Sequence, residues 1–96
     1  MSAVSRDEAL RDNTERSRFE RDEHGHTVFA NYRRQGTTVL ITYVEAPPAV
    51  RGTGAAGRLM EAIAARARAE GAKLLPLCGY AASWLRRHKE YRDLMA

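Results

Sequence analysis

The chain has 96 residues, which is the size of one domain, because a second hydrophobic core does not fit in this length. Hydrophobic residues make up 44% and charged residues 29% of it, which is typical of a globular domain and excludes a disordered chain. The longest uncharged stretches, 35–44 and 74–85, fall short of the roughly 20 apolar residues of a membrane span. The N-terminus has no apolar signal core, so a cytoplasmic location is expected.

The net charge indicates the class of partner, and the cysteine count limits the kinds of site that the chain can form. Sixteen basic and twelve acidic side chains give a net charge of +4, which favours an anionic partner such as a phosphate-bearing cofactor, a nucleic acid or an acidic protein. The single cysteine, Cys78, excludes an intramolecular disulfide and a thiolate zinc site. Cys78 is therefore either a packed thiol or a reactive one.

The first half of the chain predicts a charged arm followed by strands. Residues 1–13 carry charge without periodicity and are expected to form a loosely ordered arm before a domain over residues 14–96. Residues 18–21 and 26–32 predict two strands of a hairpin around a glycine turn. Residues 37–44 are rich in β-branched side chains and predict a central strand buried on both faces.

The second half predicts a strand-helix-strand unit and a helical end. Pro47 and Pro48 must end the central strand. Residues 58–70 predict an amphipathic helix ending at Gly71, and residues 73–77 predict a short buried strand. This order predicts parallel strands joined by a crossover. Helical spacing from Tyr80 onward predicts one or two short helices, which completes an α/β fold.

A glycine-rich loop over residues 51–57, Arg-Gly-Thr-Gly-Ala-Ala-Gly, lies between the central strand and the helix. Small side chains let backbone amides converge there, and a helix N-terminus adds partial positive charge, so the loop suits a phosphate. The spacing fits neither the P-loop nor the dinucleotide fingerprint. The alternative is a glycine-rich turn that only caps the helix.

The arrangement Arg51-x-x-Gly54-x-Ala56 resembles the R/Q-x-x-G-x-G/A signature of the GNAT superfamily of acetyltransferases. Segments 45–52, 76–78 and 88–94 are similar to its small branch of YjdJ-type, or N-acetyltransferase domain-containing protein 1-like, proteins, and residues 18–20 match that branch's opening strand. The resemblance covers the chain from about Arg16 to the C-terminus. It implies a truncated single-domain α+β fold with a mixed, mainly antiparallel sheet, a central helix after the cofactor loop and short C-terminal helices.

The resemblance also implies acetyl-coenzyme A as co-substrate. The expected pyrophosphate contacts, mostly through main-chain N–H groups, are Arg51, Gly52, Thr53, Gly54, Ala55, Ala56 and Gly57. The pantetheine arm is expected along the strand that ends near Glu45, and the acetyl acceptor is an amine of a small molecule or a protein lysine. The branch usually has a His-Thr pair before this glutamate, whereas the present chain has Tyr43-Val44.

Acetyl transfer to an amine needs a base, a polarised thioester carbonyl and a proton for the leaving thiolate. Cys78 is a candidate nucleophile, with inert packing as the alternative. Glu45 is a candidate base through a water, or else a solvated strand-end acid. Tyr43 and Tyr80 are candidate proton donors, or packing residues with satisfied hydroxyls.

Other titratable residues are weaker candidates. Tyr91 is a donor or a core residue, and His88 is a base or a helix-end residue favoured by the dipole. His24 and His26 lie at the hairpin turn without a third ligand, so no metal is expected.

Two other functions stay open at this point. The first is a coenzyme A binding module without turnover. The second, less favoured, is a nucleic-acid-binding domain that uses Arg66, Arg68 and residues 86–89, although few aromatic side chains are interleaved for base stacking. A monomer or weak dimer is expected.

Overall fold

A five-stranded sheet, two α-helices and two short 3-10 helices make up residues 9–96, the part of the chain that this computed structural model describes. The strands are β1 (Arg11–Asn13), β2 (Arg18–Glu23), β3 (His26–Gln35), β4 (Thr38–Glu45) and β5 (Lys73–Pro76). The α-helices are α1 (Ala55–Glu70) and α2 (Gly79–Arg87), and the 3-10 helices are Pro48–Val50 and Lys89–Leu94.

The strands lie in sequence order across the sheet. The pairs from β1 to β4 are antiparallel, whereas β5 pairs with β4 in parallel. The predicted hairpin is confirmed, with His24 and Gly25 both at positive φ between β2 and β3, as two-residue hairpin turns require. The parallel pairing of β4 and β5 confirms the predicted crossover through α1.

Both helices pack on one face of the sheet. Val28 and Ala30, at alternate positions of β3, belong to the same buried cluster as Leu59 of α1 and Trp84 of α2. Alternate strand residues point to one side, so the core lies between that side and the helices. The other face has no helix against it within residues 9–96.

β4 is flanked by strands on both sides, and its residues Val39, Leu40 and Ile41 are all buried, as the sequence predicts. β5 differs from the prediction, because it lies at the edge of the sheet. Leu74 is fully buried, whereas Leu75 is 36% exposed on the opposite face. The expectation of a buried strand therefore holds for one side only.

The last residues of the expected arm belong to the sheet. Residues 1–8 lie outside the described residues, but Leu10 is buried and β1 pairs with β2 from Arg11 to Asn13. A strand of three polar residues has no apolar alternation, so the sequence offers no signal for it.

α1 begins three residues before the predicted start and ends at the predicted place. Gly54 precedes it with φ 88°, and Gly71 follows it, donating its N–H to the carbonyls of Ala67 and Arg68. No helix among the described residues is both long and apolar enough to cross a membrane.

Candidate functional site

The loop between β4 and α1 has a conformation that its glycines make accessible. The chain leaves β4 through the Pro48–Val50 3-10 helix, whose Val50 is buried and anchors the turn. Gly52 and Gly54 then adopt φ 78° and 88°. An L side chain in this left-handed region costs about 1–2 kcal/mol, so glycine at both positions lets the chain turn sharply into α1.

The first turn of α1 presents unsatisfied amides. The first intrahelical bond runs from Arg58 N–H to Gly54 O at 3.0 Å. The amides of Ala55, Ala56 and Gly57 precede it and have no acceptor within the helix. Gly54 supplies no capping side chain, and the first turn contains no acidic residue. This combination is typical of a helix terminus that binds an anion.

A cavity of about 270 Å³ opens at this turn. It is lined by Ala46, Val50, Arg51, Gly52, Gly54, Ala55, Ala56, Gly57 and Tyr80. Six of the seven predicted loop residues are therefore brought together around one space. Thr53 is the exception, because its hydroxyl donates to Val50 O at 2.6 Å and closes the turn instead.

Gly57 forms part of the cavity wall. A Cβ at this position would lie 3.4 Å from Trp84 Nε1 and 3.8 Å from the Tyr80 hydroxyl oxygen. The hydrogen of Gly57 thus leaves space where α1 and α2 approach each other. No pattern in the sequence predicts that Trp84 lies beneath the loop.

The Arg51 side chain folds back onto the entry to the loop. Its Nε donates to Ala46 O at 2.8 Å, which bridges the end of β4 to the turn. Its side chain is exposed, so it adds positive charge at the rim of the cavity.

β4 runs past the end of its neighbour β5. The pairing ends at Ile41 and Pro76, followed by a bond from Leu77 N–H to Ile41 O at 2.8 Å. Residues 42–45 extend beyond this point, and within the described chain residues 43–45 pair with β3 alone. About 13 Å of strand edge, at roughly 3.3 Å per residue, is left open between β5 and the loop.

Tyr43 and Glu45 project together from this open segment. They are two residues apart on one strand and so share a face, and the Tyr43 hydroxyl donates to the Glu45 carboxylate. This hydrogen bond raises the pKa of Tyr43 above its ordinary value. Glu45 pairs with Phe29 of β3, which pairs with Glu20 of β2. The Tyr43–Glu45 pair therefore lies on the sheet face away from the helices and does not line the cavity.

Cys78 connects β5 to α2. Its Sγ accepts a hydrogen bond from Ala81 N–H at 3.4 Å, so it caps the N-terminus of α2. The thiol is half-buried and lies outside the cavity lining. Tyr80, two residues later, does line the cavity, and burial raises the pKa of its phenol, with Arg87 opposing the shift.

The remaining candidates pack elsewhere. His88 stacks on Trp84 at 3.8 Å between ring centroids, and its Nδ1 lies 2.7 Å from Trp84 O. Tyr91 also stacks on Trp84, at 5.7 Å between ring centroids. His24 lies exposed at the hairpin turn. Among residues 9–96 there is no group of three or more side chains that could hold a metal ion.

The basic surface considered for nucleic acid is partly used within the molecule. Arg68 donates to Asp93 at 2.6 Å and to Glu90 O at 2.9 Å, and Arg87 donates to Ser83. Of the two aromatic residues near this surface, Trp84 is only 3% exposed and cannot stack on a base, and the Tyr91 ring is already covered by the Arg68 guanidinium at 5.2 Å.

Two residues at the loop were missed from the sequence. Arg58, in the first turn of α1, forms two hydrogen bonds to Glu23 at the end of β2. These bonds lower the pKa of Glu23, although burial opposes them. Arg58 directly follows the loop in the sequence, so its position alone could have identified it as a candidate loop contact. Nothing in the sequence points to Glu23, which is 35 residues away.

Comparisons with known proteins identify the family. A family model described as GCN5-related N-acetyl-transferase matches residues 17–94. The chain is also similar to the NMR solution structure of a "GCN5-like putative N-acetyltransferase" from Staphylococcus aureus, with 20% identity and a TM-score of 0.66. That match covers 100% of this chain and 91% of the other. No curated protein sequence matches significantly. The expected GNAT fold is confirmed, and the chain belongs to the GCN5-related N-acetyltransferase family.

Proposed function

We propose that this protein binds acetyl-coenzyme A, with the pyrophosphate at the loop over residues 51–57, and transfers the acetyl group to an amine. One observation carries the proposal, namely the unsatisfied amides of the first turn of α1 at the 270 Å³ cavity. Anions bind at such helix termini because the amides and the helix dipole act together. Membership of the family makes acetyl-coenzyme A the expected anion.

The residues present fit this ligand. The loop side chains around the amides are small, and Gly57 itself lines the cavity. Arg51 at the rim supplies positive charge. The open edge of β4 over residues 42–45 provides backbone groups that can bond to the amides of the pantetheine arm, as a neighbouring strand would.

In the reaction, the amine nitrogen attacks the thioester carbonyl, an N–C bond forms, and the C–S bond breaks to release coenzyme A. Glu45 is the proposed base, taking a proton from the amine directly or through a water. The leaving thiolate needs a proton. Tyr80 lines the cavity and Tyr43 already donates to Glu45, so either phenol can supply it.

A covalent route through Cys78 is a second version of the same function. In it, the thiol attacks the thioester, acetyl moves to sulfur and coenzyme A leaves, after which the amine takes the acetyl group. The support is position, because Cys78 follows Leu77, the residue at which β4 and β5 part. Its bond from Ala81 favours a capping role instead.

Binding without turnover is the second candidate function. Tyr43 stands where the small branch of the family usually has a histidine before the glutamate, and the Tyr43 phenol is a poor base with its pKa raised further by Glu45. If the chain only carries coenzyme A, it binds the ligand and releases no thiol.

The test is a calorimetric titration of the purified protein with coenzyme A and with acetyl-coenzyme A, followed by incubation with a panel of primary amines. Thiol release that depends on an amine supports acetyl transfer, and an acetyl group on Cys78 in the mass spectrum supports the covalent route. Binding without thiol release supports a coenzyme A binding module without turnover. Absence of binding to both ligands overturns the proposal.

Gly54→Val tests the loop directly. Valine at φ 88° strains the turn, and its Cβ would lie 2.9 Å from Arg58 Nη1, so the amides of the first turn lose their alignment. We expect the affinity for coenzyme A, measured by calorimetry, to fall by at least about tenfold, the loss of one hydrogen bond to a charged group.

The matched control is Gly36→Val, in the turn between β3 and β4. Gly36 also has positive φ, with open space around it, so this variant carries similar backbone strain away from the cavity. It should bind coenzyme A as the unaltered protein does. Equal affinity of both variants would overturn the assignment of the loop.

A further inference from the structure

An ion pair between a buried carboxylate and a partly exposed guanidinium lies at the base of the coenzyme A loop. Glu23 ends β2 and its side chain is only 7% exposed. Arg58 Nε donates to one of its carboxylate oxygens and Nη2 to the other, both at 2.7 Å. Parallel bonds of this kind fix the plane of the guanidinium. The buried carboxylate is also paired with Arg21, so two cations offset its burial, and the two parallel bonds hold the Arg58 side chain in one orientation.

The same guanidinium contacts the loop backbone. Nη2 also donates to Thr53 O at 3.0 Å, and a Cβ on Gly54 would lie 2.9 Å from Nη1. The guanidinium therefore packs directly against the peptide that joins Thr53 to Gly54. In a planar trans peptide the C=O and the following N–H point in opposite directions. Because Arg58 holds the Thr53 carbonyl, the Gly54 N–H is turned away from the guanidinium.

We infer that Glu23 and Arg58 are positioning residues for coenzyme A, which hold the Thr53–Gly54 peptide so that the loop amides are aligned for the pyrophosphate before the ligand arrives. This inference rests on the proposed function. Neither residue lines the cavity, and three of the five guanidinium N–H groups of Arg58 are bonded to Glu23 and Thr53. Because the loop is already ordered in the folded protein, the entropic cost of ordering it does not reduce the affinity for coenzyme A.

The competing role for Arg58 is direct contact with a phosphate, and the two roles predict opposite effects of one variant. Glu23→Gln removes the carboxylate charge and loosens the guanidinium. If Arg58 were a phosphate ligand, its release would strengthen coenzyme A binding. If Arg58 positions the loop, the Thr53–Gly54 peptide loses its support and binding weakens.

Glu20→Gln is the matched control. Glu20 lies on the same strand, its side chain is 9% exposed, and it is paired with Arg18 at 2.6 Å and Arg11 at 3.2 Å. It is three residues from Glu23 and so lies on the other face of the sheet, away from the loop. Both variants remove a buried, ion-paired carboxylate, but only Glu23→Gln affects the coenzyme A loop.

The experiment is calorimetric titration of the full chain with coenzyme A for the unaltered protein, Glu23→Gln, Glu20→Gln and Arg58→Lys, at a temperature where each is folded. We expect the affinity to fall about tenfold in Glu23→Gln and in Arg58→Lys, because lysine keeps the charge but cannot form the parallel bonds. Glu20→Gln should bind within about twofold of the unaltered protein.

Unchanged or tighter binding by Glu23→Gln overturns the inference. So does an equal loss in Glu20→Gln, because that would mark general destabilisation. If Glu23→Gln does not fold, Arg58→Lys decides, and full affinity in that variant overturns the inference. Failure of the unaltered protein to bind coenzyme A overturns the proposed function as well, so the two failures are distinguishable.

Discussion

At the scale of single residues, one pair of substitutions separates the capping role of Cys78 from its proposed role as a nucleophile. Its sulfur caps α2 by accepting from Ala81 N–H. Cys78→Ala removes the acceptor and should lower the free energy of unfolding by about 0.5–1 kcal/mol, whereas Cys78→Ser supplies a good capping oxygen and should restore it. Urea denaturation measures both. Equal stabilities for the two variants would contradict the capping role.

The same pair tests the covalent route. Both variants lack the thiol, so both lose acetyl transfer if Cys78 is a nucleophile. If it is only a cap, Cys78→Ser keeps the activity, because the geometry of α2 and of Tyr80 on it is preserved. Thiol release with a reactive amine distinguishes the two results.

At the scale of elements, α1 packs closely on the sheet because its buried face contains alanines. Ala62 and Ala64 are fully buried, and Ala67 is 4% exposed. No space for a longer side chain exists at such positions in a well-packed core. The face of this helix therefore fixes the distance between α1 and the sheet, and with it the position of the loop.

Ala64→Leu should destabilise the protein by about 1–3 kcal/mol, because the added atoms force α1 away from the sheet. Ala69→Leu is the control, as the same substitution on the same helix at an exposed position, and its effect should stay within about 0.5 kcal/mol. Urea denaturation measures both. A neutral Ala64→Leu would show that α1 has room to adjust.

The elements with strong local signals could be predicted from the sequence. The hairpin, β4, α1 with its end at Gly71 and the helical C-terminus all follow from periodicity and turn residues. β1 and the exposed side of β5 could not be predicted, because they depend on where each strand lies in the sheet. The loop was predictable as a contiguous motif, whereas the Glu23–Arg58 pair arises only when β2 and α1 are brought together.

At the scale of the whole molecule, the face of the sheet opposite the helices carries charges that pair with one another. Arg11 bonds to both Glu20 and Asp22, and Arg18 bonds to Glu20. Cross-strand pairs of opposite charge stabilise a β-sheet. This half of the face is therefore internally neutralised, and the net positive charge of the chain is left to other surfaces, among them the rim of the loop at Arg51.

The paired carboxylates of β2, which are Glu20, Asp22 and Glu23, make the free energy of unfolding depend on pH in the acid range. Hydrogen bonds from Arg58 lower the pKa of Glu23, and a bond from Arg11 lowers that of Asp22. Burial would raise the pKa of Glu20, but bonds from Arg18, Asn13 and Arg11 outweigh it. The folded state thus binds protons less readily than the unfolded chain, so stability is lost as pH falls below the ordinary glutamate value of 4.5.

Urea midpoints measured from neutral pH down to about pH 3 should therefore fall steeply in the acid part of the range. The double variant Glu20→Gln/Glu23→Gln should show a weaker dependence, because two of the three responsible carboxylates are gone. A midpoint that stays constant in acid would contradict the pairing seen in the sheet.

The close approach of Trp84 to Gly57 has a practical consequence. Trp84 is the only tryptophan of the chain, and its indole N–H lies directly behind the first turn of α1. The emission of an indole responds to the polarity and the hydrogen bonding of its surroundings. Because Gly57 lines the cavity, Trp84 is an intrinsic fluorophore behind the cavity wall, and we expect ligand binding to change its emission in the unlabelled chain.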